Sequence, residues 1–101
     1  MINTKDFRDE DLKRYWLSGY EDGKGLPSEH LKRIRLVLTH IDTACNLKDI
    51  AEGLGRRKRF HKLKGHDRRY SLDVSGNYRI TFCVPDPDIG VVKAIDYEDT
   101  H

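Results

Sequence analysis

The 101-residue sequence has few of the features that mark membrane, disulfide-rich or metal-bound proteins. Its two cysteines, Cys45 and Cys83, are too few and too far apart for a metal or redox motif. No apolar run approaches the roughly 20 residues that cross a bilayer, and the first residues lack the pattern of a signal peptide. We therefore expect one soluble, cytoplasmic domain over residues 1–101, with both cysteines as free thiols in its core.

Acidic residues are scarce in one part of the chain and abundant in another. Residues 56–69 contain eight lysines and arginines and a single acid, Asp67, although the net charge of the whole chain is only +2. From Pro85 onward five acids accompany a single lysine, Lys93. A dense basic segment favours a polyanionic partner such as nucleic acid, because phosphate contacts supply most sequence-independent affinity. A charged face that only meets water is the alternative.

A hairpin is predicted between residues 60 and 82. Apolar residues alternate with polar ones over residues 70–74 and again over residues 78–84, as in two strands that each bury one face. Gly76 and Asn77 lie between the two runs and predict a two-residue turn, since both tolerate positive φ. Arg79 and Thr81 then face away from the core. The pattern predicts a sheet with an open, cationic face.

Helical patterns precede these strands. Residues 8–18 and 28–42 carry apolar stripes at helical spacing, and Ser28 is the predicted N-cap of the second helix. Asn46 is the predicted N-cap of a shorter helix over residues 47–52. Further strands are expected at residues 60–63 and 91–97. This order predicts an α+β fold, with two or three N-terminal helices packed on a small antiparallel sheet.

Motifs for phosphate loops, metal clusters and Ser-His-Asp catalysis are absent from the sequence. The remaining candidates are His61 and Lys64 near the basic segment and a C-terminus that ends in Asp99, Thr100 and His101. Histidine exchanges protons near neutral pH, and lysine or arginine stabilises charge on phosphate. These groups suffice for RNA cleavage without a metal or cofactor. Histidines near lysines also occur by chance, so the residue types alone leave the activity open.

Four motifs in order resemble the HigB toxins of the RelE/ParE superfamily of toxin–antitoxin systems. They are His61-Lys62-Leu63-Lys64-Gly65, Tyr70-Ser71-Leu72, Asn77-Tyr78-Arg79-Ile80-Thr81-Phe82 and Asp96-Tyr97-Glu98-Asp99-Thr100-His101. The resemblance implies a RelE-like fold and a toxin that acts as a ribosome-dependent mRNA endoribonuclease, an mRNA interferase. It implies a HigA-type antitoxin, the 70S ribosome and mRNA as partners, with no metal, cofactor or membrane.

The same resemblance implies roles for individual residues. Carried over by position, the catalytic residues are His61, Lys64, Asp99 and His101, and Arg79 matches an arginine that binds the scissile phosphate. The charge and position of three further residues beside the loop suggest RNA binding by Lys62, Arg68 and Arg69.

One residue departs from the family pattern. Thr100 stands where the family has a tyrosine, so an aromatic side chain that could stack on a base is missing. Tyr97 or Tyr70 could take its place if either reaches the site.

Two other functions fit parts of the pattern. One is an RNA- or ribosome-binding module that cuts nothing, and the other is a ParE-like toxin that blocks DNA gyrase. The histidine and lysine pairs favour the nuclease, because ParE-type proteins do not need such residues, and a pure binder would depend on lysine and arginine rather than on histidine. For the antitoxin we expect a surface away from the basic face, on the N-terminal helices with Tyr15, Trp16 and the loop at residues 19–25.

Overall fold

The structure, a computed structural model, describes residues 1–53 and 60–99. Its helices are α1 (Glu10–Leu17), α2 (Leu31–Thr43) and α3 (Leu47–Glu52), and its strands are β1 (Phe60–Lys62), β2 (Arg69–Asp73), β3 (Tyr78–Cys83) and β4 (Lys93–Asp99). Short 3-10 turns cover Thr4–Asp6 and Ser28–His30. The predicted α+β fold is confirmed.

The four strands form one antiparallel sheet in the order β1-β2-β3-β4. Helices cover one face of this sheet, here called the helix face, and the core lies between them. Leu12 of α1, Ile34 and Leu38 of α2, and Ile80 and Phe82 of β3 are all fully buried there. Because β2 and β3 alternate apolar and polar side chains, the opposite face carries the polar residues, and we call it the polar face.

Local capping explains two of the three helix starts. Asp9 begins α1 and accepts a hydrogen bond from the Leu12 amide at 2.8 Å, and Asn46 begins α3 and accepts one from the Asp49 amide at 2.9 Å. The prediction of Asn46 as a cap is confirmed. The prediction that Ser28 is the N-cap of α2 is wrong, because α2 begins at Leu31 after a 3-10 turn over Ser28–His30.

The β2–β3 connection differs from the predicted two-residue turn. It spans residues 74–77, and neither Gly76 nor Asn77 has a positive φ. The Ser75 hydroxyl organises the turn instead, by accepting hydrogen bonds from the amides of Asn77 at 3.3 Å and Tyr78 at 3.2 Å. A serine side chain can bond its own backbone in this way, which closes a longer turn without left-handed residues.

The last strand begins two residues later than predicted. Val92 lies before β4, and its amide donates to the Met1 carbonyl at 3.1 Å, so it bonds to the N-terminus rather than to β3. Phe7 forms a parallel bridge with Ile95, and the Arg8 amide donates to the Ile95 carbonyl at 2.7 Å. The N-terminal segment therefore lies along the outer edge of β4.

Cys45 and Tyr15 lie differently from the sequence expectation, and Cys83 does so in part. Cys45 is exposed, so its prediction as a core thiol is wrong, whereas Cys83 is half-buried. Tyr15 is 4% exposed and donates its hydroxyl to the Leu31 carbonyl at 3.1 Å, which removes it from any docking surface. Trp16 is half-buried and packs 5.4 Å from the Phe7 ring. No helix among the described residues is long and apolar enough to cross a membrane.

Candidate active site

The polar face of the sheet brings two rows of side chains together. Strand register places His61 beside Ser71 and Ser71 beside Thr81 in one row. Asp73 lies opposite Arg79 in the next row. Because directly paired residues point to the same side of a sheet, these five side chains share one face. These five side chains include two of the predicted functional residues, His61 and Arg79.

Asp73 lies between those two residues. Its Oδ2 is 3.2 Å from Nε2 of His61, and its Oδ1 is 4.0 Å from Nε of Arg79. Asp73 is directly opposite Arg79 and diagonal to His61, a spacing that long side chains span. The carboxylate thus connects an imidazole on the edge strand β1 to a guanidinium on the central strand β3.

The guanidinium of Arg79 has an unsatisfied donor. Its Nε is buried and has no hydrogen-bond partner, and the contact with Asp73 is at ion-pair distance only. A buried donor without a partner costs free energy. The side chain as a whole keeps 29% exposure, so a ligand can meet Arg79 through atoms other than Nε.

Arg69 lies on the polar face but does not face solvent. It is 8% exposed, and its guanidinium donates to the Thr81 hydroxyl at 2.8 Å and to the Ala94 carbonyl at 3.1 Å. Arg69 therefore joins β2, β3 and β4 through two hydrogen bonds made inside the protein. This burial argues against the predicted RNA contact of Arg69. It also closes the middle of the face that we expected to be open, where Ser71 and Thr81 are fully buried.

The loop between β1 and β2 carries the exposed basic residues. Lys62 and Lys64 are exposed, and Gly65 makes the turn with a φ of 79°. Arg68 has a φ of 58° and donates a hydrogen bond to the Pro85 carbonyl, and its side chain stays 55% exposed. Its Nε lies 3.8 Å from the Asp67 carboxylate. Lys64 and Arg68 lie in the loop that follows β1, the strand of His61, whereas Lys62 is paired with Tyr70, so strand alternation directs it to the helix side of the sheet.

The terminal carboxylates divide between the two faces of the sheet. Asp99 is opposite Tyr78 at the end of β4, and alternation puts it on the helix face. Glu98 is opposite Arg79 and lies on the polar face. The register therefore does not bring Asp99 to His61, and it places a carboxylate that the sequence analysis did not select beside Arg79.

The remaining predictions concern the terminus and its possible aromatic substitutes. Thr100 and His101 lie outside the described residues, as does the basic stretch at residues 54–59. Tyr97 and Tyr70 are paired with Ile80 and Phe82, so both point to the helix face. Neither tyrosine reaches the polar face to replace an aromatic at position 100.

Tyr97 has its hydroxyl engaged on the helix face. It lies 2.5 Å from Nδ1 of His30, just before α2, and its ring stacks on Tyr78 at 5.2 Å. Burial, reinforced by the neighbouring Tyr78, raises the pKa of Tyr97 from 10.0 to about 12. This cluster fastens β4 to the start of α2.

Sequence reasoning missed Asp73 as a functional candidate. The signal was present in the hairpin pattern, because alternation already placed Asp73 and Arg79 on the same face. The missing information was the pairing of β1 with β2, which brings His61 within reach of that carboxylate. Among the described residues, no three His, Cys, Asp or Glu side chains are grouped so that they could hold a metal ion.

Comparison with known proteins agrees with this fold. No curated protein sequence matches the chain. The model of one family matches residues 5–101, and that family is described as the RelE-like toxin of type II toxin–antitoxin system HigB. Since the match covers nearly the whole chain, this protein belongs to the HigB-like toxin family.

Proposed function

We propose that this toxin is a ribosome-dependent endoribonuclease that cuts messenger RNA in the ribosomal A site. The observation that carries the proposal is the joint presence of His61 and Arg79 on one accessible face, connected by Asp73. The exposed Lys64, in the loop that follows β1, and the exposed Lys62, on the β1 strand itself, supply positive charge for the phosphate backbone. A histidine, a phosphate-binding arginine and a nearby lysine are the groups that phosphodiester cleavage by acid–base chemistry needs.

The proposed reaction uses the ribose 2′-hydroxyl as the nucleophile. A base removes its proton, the 2′-oxygen attacks phosphorus, and the P–O5′ bond breaks. Arg79, whose side chain is 29% exposed, binds a phosphate oxygen as negative charge develops there, and Lys64 adds a second cation. The products are a 2′,3′-cyclic phosphate and a free 5′-hydroxyl. Asp99 and His101 enter the proposal from the family resemblance alone.

The proposed RNA surface consists of Lys62, Lys64, Arg68 and Arg79. Arg69 is left out because its donors bond to Thr81 and Ala94. The proposed partners are the 70S ribosome, its mRNA and a HigA-type antitoxin that covers another surface, and the proposed site of action is the cytoplasm.

The test is 5′-end mapping of a reporter mRNA in a reconstituted translation reaction, with ribosomes present or omitted. We expect cuts in phase with codons that depend on ribosomes and disappear with His61→Ala or Lys64→Ala. His66→Ala is the matched control, because His66 is an exposed histidine of the same loop. Intact messenger with translation blocked would point to a binder that cuts nothing. Normal translation with damaged DNA would point to gyrase.

A further inference from the structure

The side chain of Asp73 makes contacts that a solvent-facing strand residue does not need. It is only 25% exposed, although it ends β2 beside a turn, and both of its oxygens lie near functional candidates. The two contacts come from different strands, so the carboxylate of Asp73 reaches both His61 and Arg79.

The chemistry of this contact determines which ring nitrogen of His61 carries hydrogen. A carboxylate can only accept, so Nε2 of His61 must donate to Oδ2 of Asp73. In the neutral ring the other nitrogen, Nδ1, then carries the lone pair. No described residue forms a hydrogen bond with Nδ1, and the His61 side chain is 45% exposed.

We propose that Asp73 is a positioning residue that holds His61 as the general base of the reaction, with Nε2–H on the carboxylate and Nδ1 directed to the ribose. This inference rests on the proposed nuclease function. In the step, the 2′-O–H proton passes to Nδ1 and the 2′-O–P bond forms. The electron pair of the breaking P–O5′ bond goes to O5′, which takes a proton from water.

The same carboxylate positions the phosphate-binding group. Asp73 holds Nε of Arg79 at 4.0 Å, a distance that restrains the guanidinium without satisfying its donor. The restrained side chain loses less conformational entropy when phosphate arrives. Asp73 thus sets the separation between the base and the phosphate-binding group.

Two measurements test this role. The first is a long-range ¹H–¹⁵N spectrum of the histidine rings at pH 8. The signals of His61 are assigned as those that are missing from the spectrum of His61→Gln. We expect the Nε2–H form in the wild type and a mixture of the two neutral forms in Asp73→Ala. The second is single-turnover cleavage of ribosome-bound mRNA by Asp73→Asn and Asp73→Ala.

For cleavage we expect the maximal rate to fall at least about 10-fold in both variants, within the roughly 10²–10⁴-fold that a positioned acid–base group supplies. The apparent affinity should stay the same or improve, because one negative charge is gone. Asp88→Asn removes a charge from an exposed loop residue and controls for net charge. Thermal unfolding of each variant checks that the fold is kept, and Asp73→Asn preserves side-chain shape if Asp73→Ala unfolds.

The outcomes separate this inference from the proposed function. If Asp73→Asn cuts as fast as the wild type, or faster, Asp73 is not a positioning residue and only competes with phosphate. A His61 spectrum that is the same in the wild type and in Asp73→Ala would also overturn the proposal. A wild type that cuts no messenger would overturn the nuclease function, and the role of Asp73 in the reaction with it, whatever the spectrum shows.

Discussion

Nδ1 of His30 and the hydroxyl of Tyr97 lie 2.5 Å apart, and this contact joins the start of α2 to the strand that leads into the C-terminus. The Tyr97 ring also stacks on Tyr78, which is paired with Asp99. The hydrogen bond and the ring stack thus hold β4, as far as Asp99, against the start of α2 on the helix face of the sheet.

Replacing Tyr97 with phenylalanine should destabilise the protein at neutral pH. The variant leaves Nδ1 of His30 without this partner, and we expect a loss of about 1–3 kcal/mol in the free energy of unfolding. Urea unfolding at pH 7 measures it. Phe82, at a fully buried position, has no hydroxyl, so Phe82→Leu serves as a comparison that changes packing alone.

The same residue makes a prediction for alkaline pH. The pKa of Tyr97 in the folded protein, about 12, is above its ordinary value of 10.0. The unfolded chain therefore ionises first, so the stability contributed by neutral Tyr97 is complete below pH 10 and is lost as the pH rises towards 12. Tyr97→Phe should show a smaller loss of stability between these values than the wild type. Equal losses in both proteins would contradict this.

Asp9 allows a test of how stability depends on pH in the acidic range. Burial raises its pKa above the ordinary value of 3.8, partly offset by the hydrogen bond from the Leu12 amide. The folded protein thus favours the neutral form of Asp9. The stability that neutral Asp9 contributes is greatest below pH 3.8 and is lost as the pH rises through the pKa of Asp9 in the folded protein.

We expect Asp9→Asn, which keeps an oxygen for the N-cap, to gain stability relative to the wild type at pH 7 but not at pH 3. Urea unfolding of both proteins at the two pH values measures the difference. Asp9→Ala, which removes the cap, should lose about 1 kcal/mol at both. A gain for Asp9→Asn that is larger at pH 3 would show that burial does not dominate at this site.

Arg69 should matter for stability rather than for RNA. Arg69→Met leaves the Thr81 hydroxyl and the Ala94 carbonyl without their partner, and we expect the free energy of unfolding to fall by about 2–4 kcal/mol. Lys62→Met, at an exposed position, should change the free energy of unfolding by less than about 0.5 kcal/mol but should weaken RNA binding. A stable Arg69→Met protein with reduced RNA affinity would restore the original prediction for Arg69.

Gly90 should not tolerate a side chain. A Cβ there would lie 2.1 Å from the Ala44 carbonyl oxygen, a backbone atom that cannot rotate away. We expect Gly90→Ala to cost about 1–3 kcal/mol of stability, as overpacking does elsewhere. At Gly76 a Cβ would meet no atom within 4 Å, so Gly76→Ala is the control and should change little. Thermal denaturation of the two variants side by side provides the comparison.

The sequence correctly predicted the parts of the fold that depend on interactions between residues close together in the chain. Helix α3 begins after its N-cap Asn46 and ends before Gly53 as predicted, because the Asn46 side chain accepts a hydrogen bond from the amide three residues ahead. The hairpin strands followed from alternation. Their connection was missed, since Gly76-Asn77 is a strong turn signal and the Ser75 hydroxyl stabilises a longer turn instead.

The site was less predictable because its contacts join distant residues. In sequence, the position and charge of Arg69 are like those of its exposed neighbours. Its burial follows from a hydrogen bond to the carbonyl of Ala94, which is 25 residues away in the chain and whose proximity the sequence does not show. The resemblance supplied His61 and Arg79, whereas Asp73 required the register of β1 on β2. Asp99 and Glu98 are adjacent in sequence, and strand alternation alone assigns them to opposite faces.

Among the strands that the structure describes, β1 is the shortest, with three residues including His61, and it pairs with β2 at one end of the strand order. Such an edge opens by local fraying at a much lower free energy than global unfolding. Each opening would carry the imidazole away from its carboxylate while the rest of the sheet remains intact. The fraction of molecules competent to react would then follow the amide-exchange protection of β1 rather than the melting temperature of the domain.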